Sequence, residues 1–230
     1  MRNIKKNNVF ICFMGIDGSG KSSLANKTKE ILLNYGIKSK YVWGGYNLFA
    51  LRPIVKMARN VVTRKHDPFK DYSLYHSYLK KLGRRKFIFK IYKYLLLLEY
   101  LIEILIKIRI PLWLGKNIIA DRYIFDTATN ISSNYDFSFE EYKRLIDDLL
   151  RLCPMPDIVY FVDIPEEVAL KRKRDIPSLE YLINRRKYYK KIPNYYNVIT
   201  LDGLDNLDNL TGFIDKNIKA FFNRLTIKRE

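Results

Sequence analysis

Two kinds of apolar run alternate along the chain. Residues 9–14, 117–120, 158–162 and 198–201 are short and apolar at nearly every position, as strands buried on both faces are, and residues 38–43 read as a further strand. Longer segments carry apolar residues three and four apart, which predicts helices over 22–34, 139–152, 166–174, 179–191 and 207–225, with more helix filling the middle of the chain. Gly36 closes the first helix, Pro154 and Pro156 stop the one over 139–152, and Asp202 and Gly203 follow the last strand. Uniformly apolar strands alternating with helices predict an α/β protein with a parallel sheet covered on both faces.

The most apolar stretch, 87–110, carries Lys90, Lys93, Glu99, Glu103, Lys107 and Arg109, whereas a membrane span needs about 20 nearly uncharged residues. It predicts a long helix buried over much of its surface. Its polar residues fall on two arcs, not on the single broad basic face of a membrane-surface helix. The run over 9–14 is too short for the core of a signal peptide. Cys12 and Cys153 sit among apolar residues and are too few for a disulfide framework, so core packing in a reducing cytoplasm is expected. The 230 residues show no repeat and no Gly-, Ser- or Pro-rich linker, which predicts one domain over 1–230. A formal charge of +18 asks for an anionic partner without choosing among nucleic acid, lipid and phosphorylated small molecules.

The segment GIDGSGKS at 15–22 narrows that choice. It fits G-x-x-x-x-G-K-[ST] and lies between a short apolar strand and a helix start, where a phosphate-binding loop belongs. Gly15, Gly18 and Gly20 let the backbone wrap closely, and its N–H groups, with those of Asp17, Ser19 and Ser23, face an anion. Lys21 can bridge the outer phosphates and the Ser22 hydroxyl can hold Mg²⁺. The pattern defines a P-loop NTPase, a three-layer sandwich whose sheet here has five parallel strands. Asp121-Arg122-Tyr123 directly follow the third strand, at the strand ends that open into the ligand crevice of such sheets. Asp121 can enter the Mg²⁺ shell or take a proton, and Arg122 can clamp a phosphate; a capping Asp and a surface Arg would look the same.

With both motifs present the chain resembles the thymidylate kinase family of P-loop nucleoside monophosphate kinases. The resemblance is carried by FMGIDGSGKSS at 13–23, by DRY at 121–123, by FVDIPEEVALKR at 161–172, similar to the family's entry to its lid, and by VITLDG at 198–203, similar to the strand and loop flanking the adenine. It implies that Lys21, Ser22 and Asp121 serve ATP and Mg²⁺, that Arg122 grips the acceptor phosphate, and that Asp17 faces the acceptor's sugar. Gly18 stands where one branch of the family has an arginine, so the arginine that neutralises charge on closure is expected from a helical lid over 171–190, at Arg172 or Arg174. An acceptor-binding region over 44–115 and a homodimer packed through 87–110 are also implied.

The acceptor side departs from the family. Its R-E-P-G-G-T is replaced by VWGGY at 42–46, with Arg52 a candidate substitute. The family's acceptor-binding D-R pair falls at about Glu99 and Tyr100, and S-x-x-A-Y-Q is replaced by DTATN at 126–130. The expected function is therefore phosphoryl transfer from ATP to a nucleoside monophosphate, dTMP first, in the cytoplasm. The alternatives are a kinase of this fold acting on another phosphorylated or hydroxyl acceptor, and a non-catalytic nucleotide- or nucleic-acid-binding module. Trp43, Tyr46, Tyr72, Tyr75, Tyr78 and Tyr123 are candidates for an aromatic wall around the acceptor, although such residues more often serve core and interface packing. The run RRKYYKK at 185–191 interleaves aromatics with charge as nucleic-acid binders do, although a lid for polyphosphates uses the same composition and no nucleic-acid-binding fold is evident. Neither His66 nor His76 sits in a metal or triad pattern.

Overall fold

In the computed structural model, residues 8–45, 67–84 and 86–227 are described. Tyr46, Arg52 and His66, and the part of the acceptor region between 46 and 66, lie outside the described residues. Five strands form one sheet: β1 (Phe10–Met14), β2 (Ser39–Trp43), β3 (Asn117–Asp121), β4 (Ile158–Asp163) and β5 (Ile199–Asp202), in the order β2-β3-β1-β4-β5. Every pairing is parallel, with Cys12 opposite both Ala120 and Val159. The central strand β1 is wholly buried. Its alternate side chains enter two cores, as the two-residue period of a strand requires.

Phe10, Cys12 and Met14 join one core with Ile118, Ala120, Val159 and Phe161. The helices α2 (Tyr72–Arg84), α3 (Lys86–Ile104), α5 (Ile124–Tyr135), α6 (Phe139–Leu152), α7 (Glu166–Arg172) and α8 (Leu179–Tyr189) contribute to it. Ile11 and Phe13 face the other core, where α1 (Lys21–Asn34) supplies Leu24 and Leu32 and α9 (Leu207–Ile227) supplies Leu210, Ile214 and Ile218. This is the three-layer parallel architecture that the uniformly apolar strands predict. Both cysteines are buried, Cys12 between the strands and Cys153 at the end of α6.

Two segments differ from the sequence reading. The helix expected over 87–110 runs on as a π turn, Leu105–Arg109, and a last α-helical turn, α4 (Ile110–Trp113). Pro111 lacks an N–H and its ring crowds the carbonyl four residues earlier, and the widened turn directly before it takes up that misfit. Nor is this helix buried on most sides. Leu96, Tyr100, Ile104 and Ile108 face the core, whereas Tyr94, Leu98, Ile102, Ile106, Trp113 and Leu114 are more than half exposed. The second difference is α5, whose polar sequence after Tyr123 conceals a helix buried along nearly its whole length between α2, α6 and α8.

Candidate active site

All five strands end at the same edge of the sheet, and the chemistry-bearing residues gather there. Between Met14 and Lys21 the chain wraps through Gly15 (φ 144°), Gly18 (φ 80°) and Gly20 (φ 94°). A Cβ on Gly15 would stand 2.5 Å from the Val162 carbonyl oxygen, and one on Gly18 would stand 2.5 Å from that of Ala169. Glycine is thus demanded twice, by conformation and by contact. Lys21 opens α1 and is 4% exposed. Its Nζ donates to the Ile16 carbonyl at 2.5 Å and to Ser19 Oγ at 3.2 Å. Ser23, the last of the expected loop residues, is exposed at the first turn of α1.

Ser22 Oγ donates to Asp121 Oδ2 at 2.5 Å, joining the P-loop helix to the end of β3. Asp121 is 2% exposed, yet its Oδ1 is buried and has no hydrogen-bond partner among the described residues. An anionic oxygen cut off from water is costly unless a cation or donor meets it. Together with Ser22 Oγ it forms the hard-oxygen donor set that suits Mg²⁺, so the residues present fit that ion. Gly15 and Gly18 seat the loop directly against Val162 and Ala169, where any Cβ would strike the backbone, in the strand–loop–helix setting that suits a polyphosphate.

Arg122 adopts φ 76°, a left-handed conformation costing about 1–3 kcal/mol for a non-glycine residue. Its guanidinium lies between two carboxylates, with Asp17 Oδ1 at 2.5 Å and Asp126 Oδ1 at 3.3 Å. Burial disfavours the charged guanidinium, but Asp17 and Asp126 outweigh it and hold the arginine firmly protonated. Asp17 also accepts from Tyr181 Oη at 3.1 Å and has Lys173 Nζ at 3.6 Å. Burial pushes Asp17 up, but Arg122, Lys21, Lys173 and Arg185 together bring it down to about 2. Gly44 and Gly45 pass directly beside Arg122: a Cβ on Gly44 would strike its carbonyl oxygen, and one on Gly45 would sit 2.9 Å from its Cδ.

The lid candidates separate. Arg172 NH1 donates to the Gly203 carbonyl at 3.0 Å, at the end of β5, and Arg174 is exposed just beyond α7. The sequence reading missed several residues that join this cluster. Asp126, fully buried, accepts from Tyr189 Oη at 2.7 Å and from the Tyr123 backbone N–H at 3.1 Å, and burial raises its pKa. Arg185, 5% exposed, lies over the Tyr181 ring at 3.5 Å and donates to Asn130 and Asn134, each at 3.0 Å. Arg186 grips Asp163 through two nitrogens, at 2.7 and 3.1 Å, and Glu166 at 2.8 Å. For Arg185 a signal existed: Leu182, Arg185 and Tyr189 recur at helical spacing, which marks one buried face.

The same face bears on RRKYYKK, whose nucleic-acid reading the sequence already weighs against. Tyr188 and Tyr189 are each 1% exposed and belong to the core. Tyr123 is likewise no part of an acceptor wall: it is buried against Phe10, and its hydroxyl donates to the Pro154 carbonyl at 2.9 Å. Tyr72 is nearly buried, stacked on His76 and edge-on to Tyr181, while Trp43 is 41% exposed. His76 Nε2 is 2.7 Å from the Ser133 carbonyl oxygen, an ordinary role for a buried histidine.

A strand–loop–helix phosphate cradle, a carboxylate at the end of the neighbouring strand and an arginine beside it define a P-loop phosphotransferase. The chain belongs to the thymidylate kinase family, whose profile, described as thymidylate kinase, it matches over residues 56–214. It is thus an enzyme of the nucleoside monophosphate kinase class. Over 214 residues it is 28% identical to the probable thymidylate kinase of Sulfurisphaera tokodaii, covering 88% of this chain and 91% of that protein. It is 29% identical to the thymidylate kinase of Leptospira interrogans, covering 89% and 91%. With the thymidylate kinase of the Wolbachia strain wMel it shares 28% over 227 residues, or 96% and 99%. No helix among the described residues is long and apolar enough to cross a membrane.

Proposed function

We propose that this kinase transfers the γ-phosphoryl group of ATP to a nucleoside monophosphate, with dTMP as the leading acceptor. The observation that carries the reading is the convergence of Lys21, the Ser22–Asp121 pair and the Asp17–Arg122 pair at one end of the sheet in a chain of this family. The loop from Gly15 to Gly20 and Lys21 hold the donor's phosphates. Ser22 Oγ and Asp121 hold Mg²⁺, which when bound neutralises phosphate charge and orients the outer phosphates. Arg122, held between Asp17 and Asp126, presents its planar fork to the acceptor's phosphate, and Asp17 stands beside it for the sugar. Of the lid expected over 171–190, the irregular segment 173–178 supplies the movement, because Leu182, Tyr188 and Tyr189 of α8 are packed into the core. Within it we assign the lid arginine to the exposed Arg174, since Arg172 is tied to the Gly203 carbonyl. Lys21→Ala should abolish phosphoryl transfer with the circular-dichroism spectrum unchanged; turnover at the wild-type rate would overturn the assignment.

A second reading, an acceptor other than dTMP, is favoured by Tyr100. It stands where the family's acceptor-binding arginine is expected, it is wholly buried, and its hydroxyl is 3.3 Å from the Gly44 carbonyl oxygen. The arginine of the family's R-E-P-G-G-T is likewise absent from VWGGY at 42–46. ADP release across nucleoside monophosphates and sugar phosphates separates the two: stimulation by dTMP supports the first, and stimulation by non-nucleotide acceptors alone supports the second. The exposed apolar face of α3 and the turn after it supports a homodimer, since soluble monomers rarely present so large an apolar patch.

A further inference from the structure

Among the described residues two hydroxyls hold the Asp121 carboxylate, one from the P-loop and one from outside it. Tyr41 pairs with Ile119 across β2 and β3, so its side chain shares a face with Ile119 and, two residues on, with Asp121. Two residues of strand advance about 6.6 Å, a span that a phenol reaching along the sheet covers. The Tyr41 hydroxyl donates to Asp121 Oδ2 at 2.7 Å, the same oxygen that accepts from Ser22 Oγ at 2.5 Å. Both donors therefore load one oxygen and leave Oδ1 buried and unpartnered among the described residues.

We propose that Tyr41 is a positioning residue of the metal site: its O–H pins Asp121 Oδ2 and so keeps Oδ1 as the oxygen that Asp121 would offer, with Ser22, to Mg²⁺. This rests on the reading of Ser22 and Asp121 as metal donors. Ser22 alone is a poor anchor, because the same hydroxyl oxygen must also face the ion. Without the phenol the carboxylate can turn about its terminal bond and offer either oxygen. Removing a hydrogen bond behind a metal ligand typically weakens metal binding by about 10–100-fold.

The test uses the full chain with ADP, Mn²⁺ standing in for Mg²⁺ so that free ion can be read by electron paramagnetic resonance. Tyr41→Phe should lower Mn²⁺ affinity in the ADP complex about 10-fold, while ADP affinity measured calorimetrically in EDTA stays at the wild-type value. Unchanged Mn²⁺ affinity in the variant overturns the proposal. A parallel loss of ADP affinity in EDTA also overturns it, since that is the signature of a damaged loop and not of a metal ligand set free. Wild-type chain that binds ADP in EDTA but adds nothing to the affinity of ADP alone for Mn²⁺ overturns the reading of Ser22 and Asp121 themselves.

Discussion

Burial, and behind it the nearby Arg122 guanidinium, pushes the Lys21 ammonium down from 10.5 to about 7, against the pull of Asp126, Asp17 and Asp121. Above about pH 7 the folded chain therefore releases a proton that the unfolded chain still holds, and stability rises with pH from there toward 10.5. A polyphosphate brought to Lys21 restores the charged form. At pH 8, nucleotide binding should take up as much as about one proton, seen as a binding enthalpy that varies with the ionisation heat of the buffer. The dependence should vanish in Lys21→Met, and a wild-type enthalpy indifferent to the buffer would contradict this account of Lys21. At this scale the P-loop was legible because glycine, lysine and hydroxyl each have one mechanical reason to occupy fixed positions. Asp126 was not, because nothing in a polar heptad of sequence says that its carboxylate will be fully buried between Arg122 and Tyr189.

Helix boundaries followed local chemistry wherever a cap existed. Ser138 and Glu141 form a reciprocal capping box at the start of α6, with Ser138 N–H to Glu141 Oε2 at 2.8 Å and Glu141 N–H to Ser138 Oγ at 3.2 Å. Ser138→Ala should cost about 1 kcal/mol, measured as a lower urea midpoint with an unchanged slope. A variant as stable as the parent would remove this box from the account of where α6 begins. The strands and α6 could be read in advance because their apolar spacing is a local property. The helix α5 could not: its Thr127, Thr129, Ser132 and Ser133 are buried by neighbours that arrive from three other helices. For α3 the sequence showed how apolar the helix is but not which side is covered, since that depends on where the sheet ends.

On the scale of the whole molecule, the uncovered side of that helix and the turn after it concern assembly. Leu98 is 58% exposed, Ile102 51% and Ile106 60%, on consecutive turns. A second copy of the chain laid against this face would remove them from water, at about 25 cal/mol for each Å² of apolar surface covered. The double variant Leu98→Glu, Ile102→Glu should therefore give a monomer by light scattering where the parent gives a dimer. A parent that is monomeric at the same concentration would dispose of the homodimer. The +18 charge is partly explained at this scale as well. Lys21, Arg122, Arg172, Arg185 and Arg186 gather at or beside the strand ends where the P-loop lies, so part of the excess is concentrated there.

The tight contacts beneath the P-loop also decide where the molecule can bend. Gly15 lies against the Val162 carbonyl, Gly18 against that of Ala169 in α7, and a Cβ on Gly203 would stand 3.2 Å from the Ser19 carbonyl oxygen. Loop, strand ends and the root of α7 are thus packed without clearance and must travel as one block. A pivot for any closing movement can begin no earlier than Lys173, where the chain turns extended at φ −135° and runs without regular structure to Ser178. The floor of the loop is rigid by construction, and any freedom to open and shut begins in the few residues that carry Arg174.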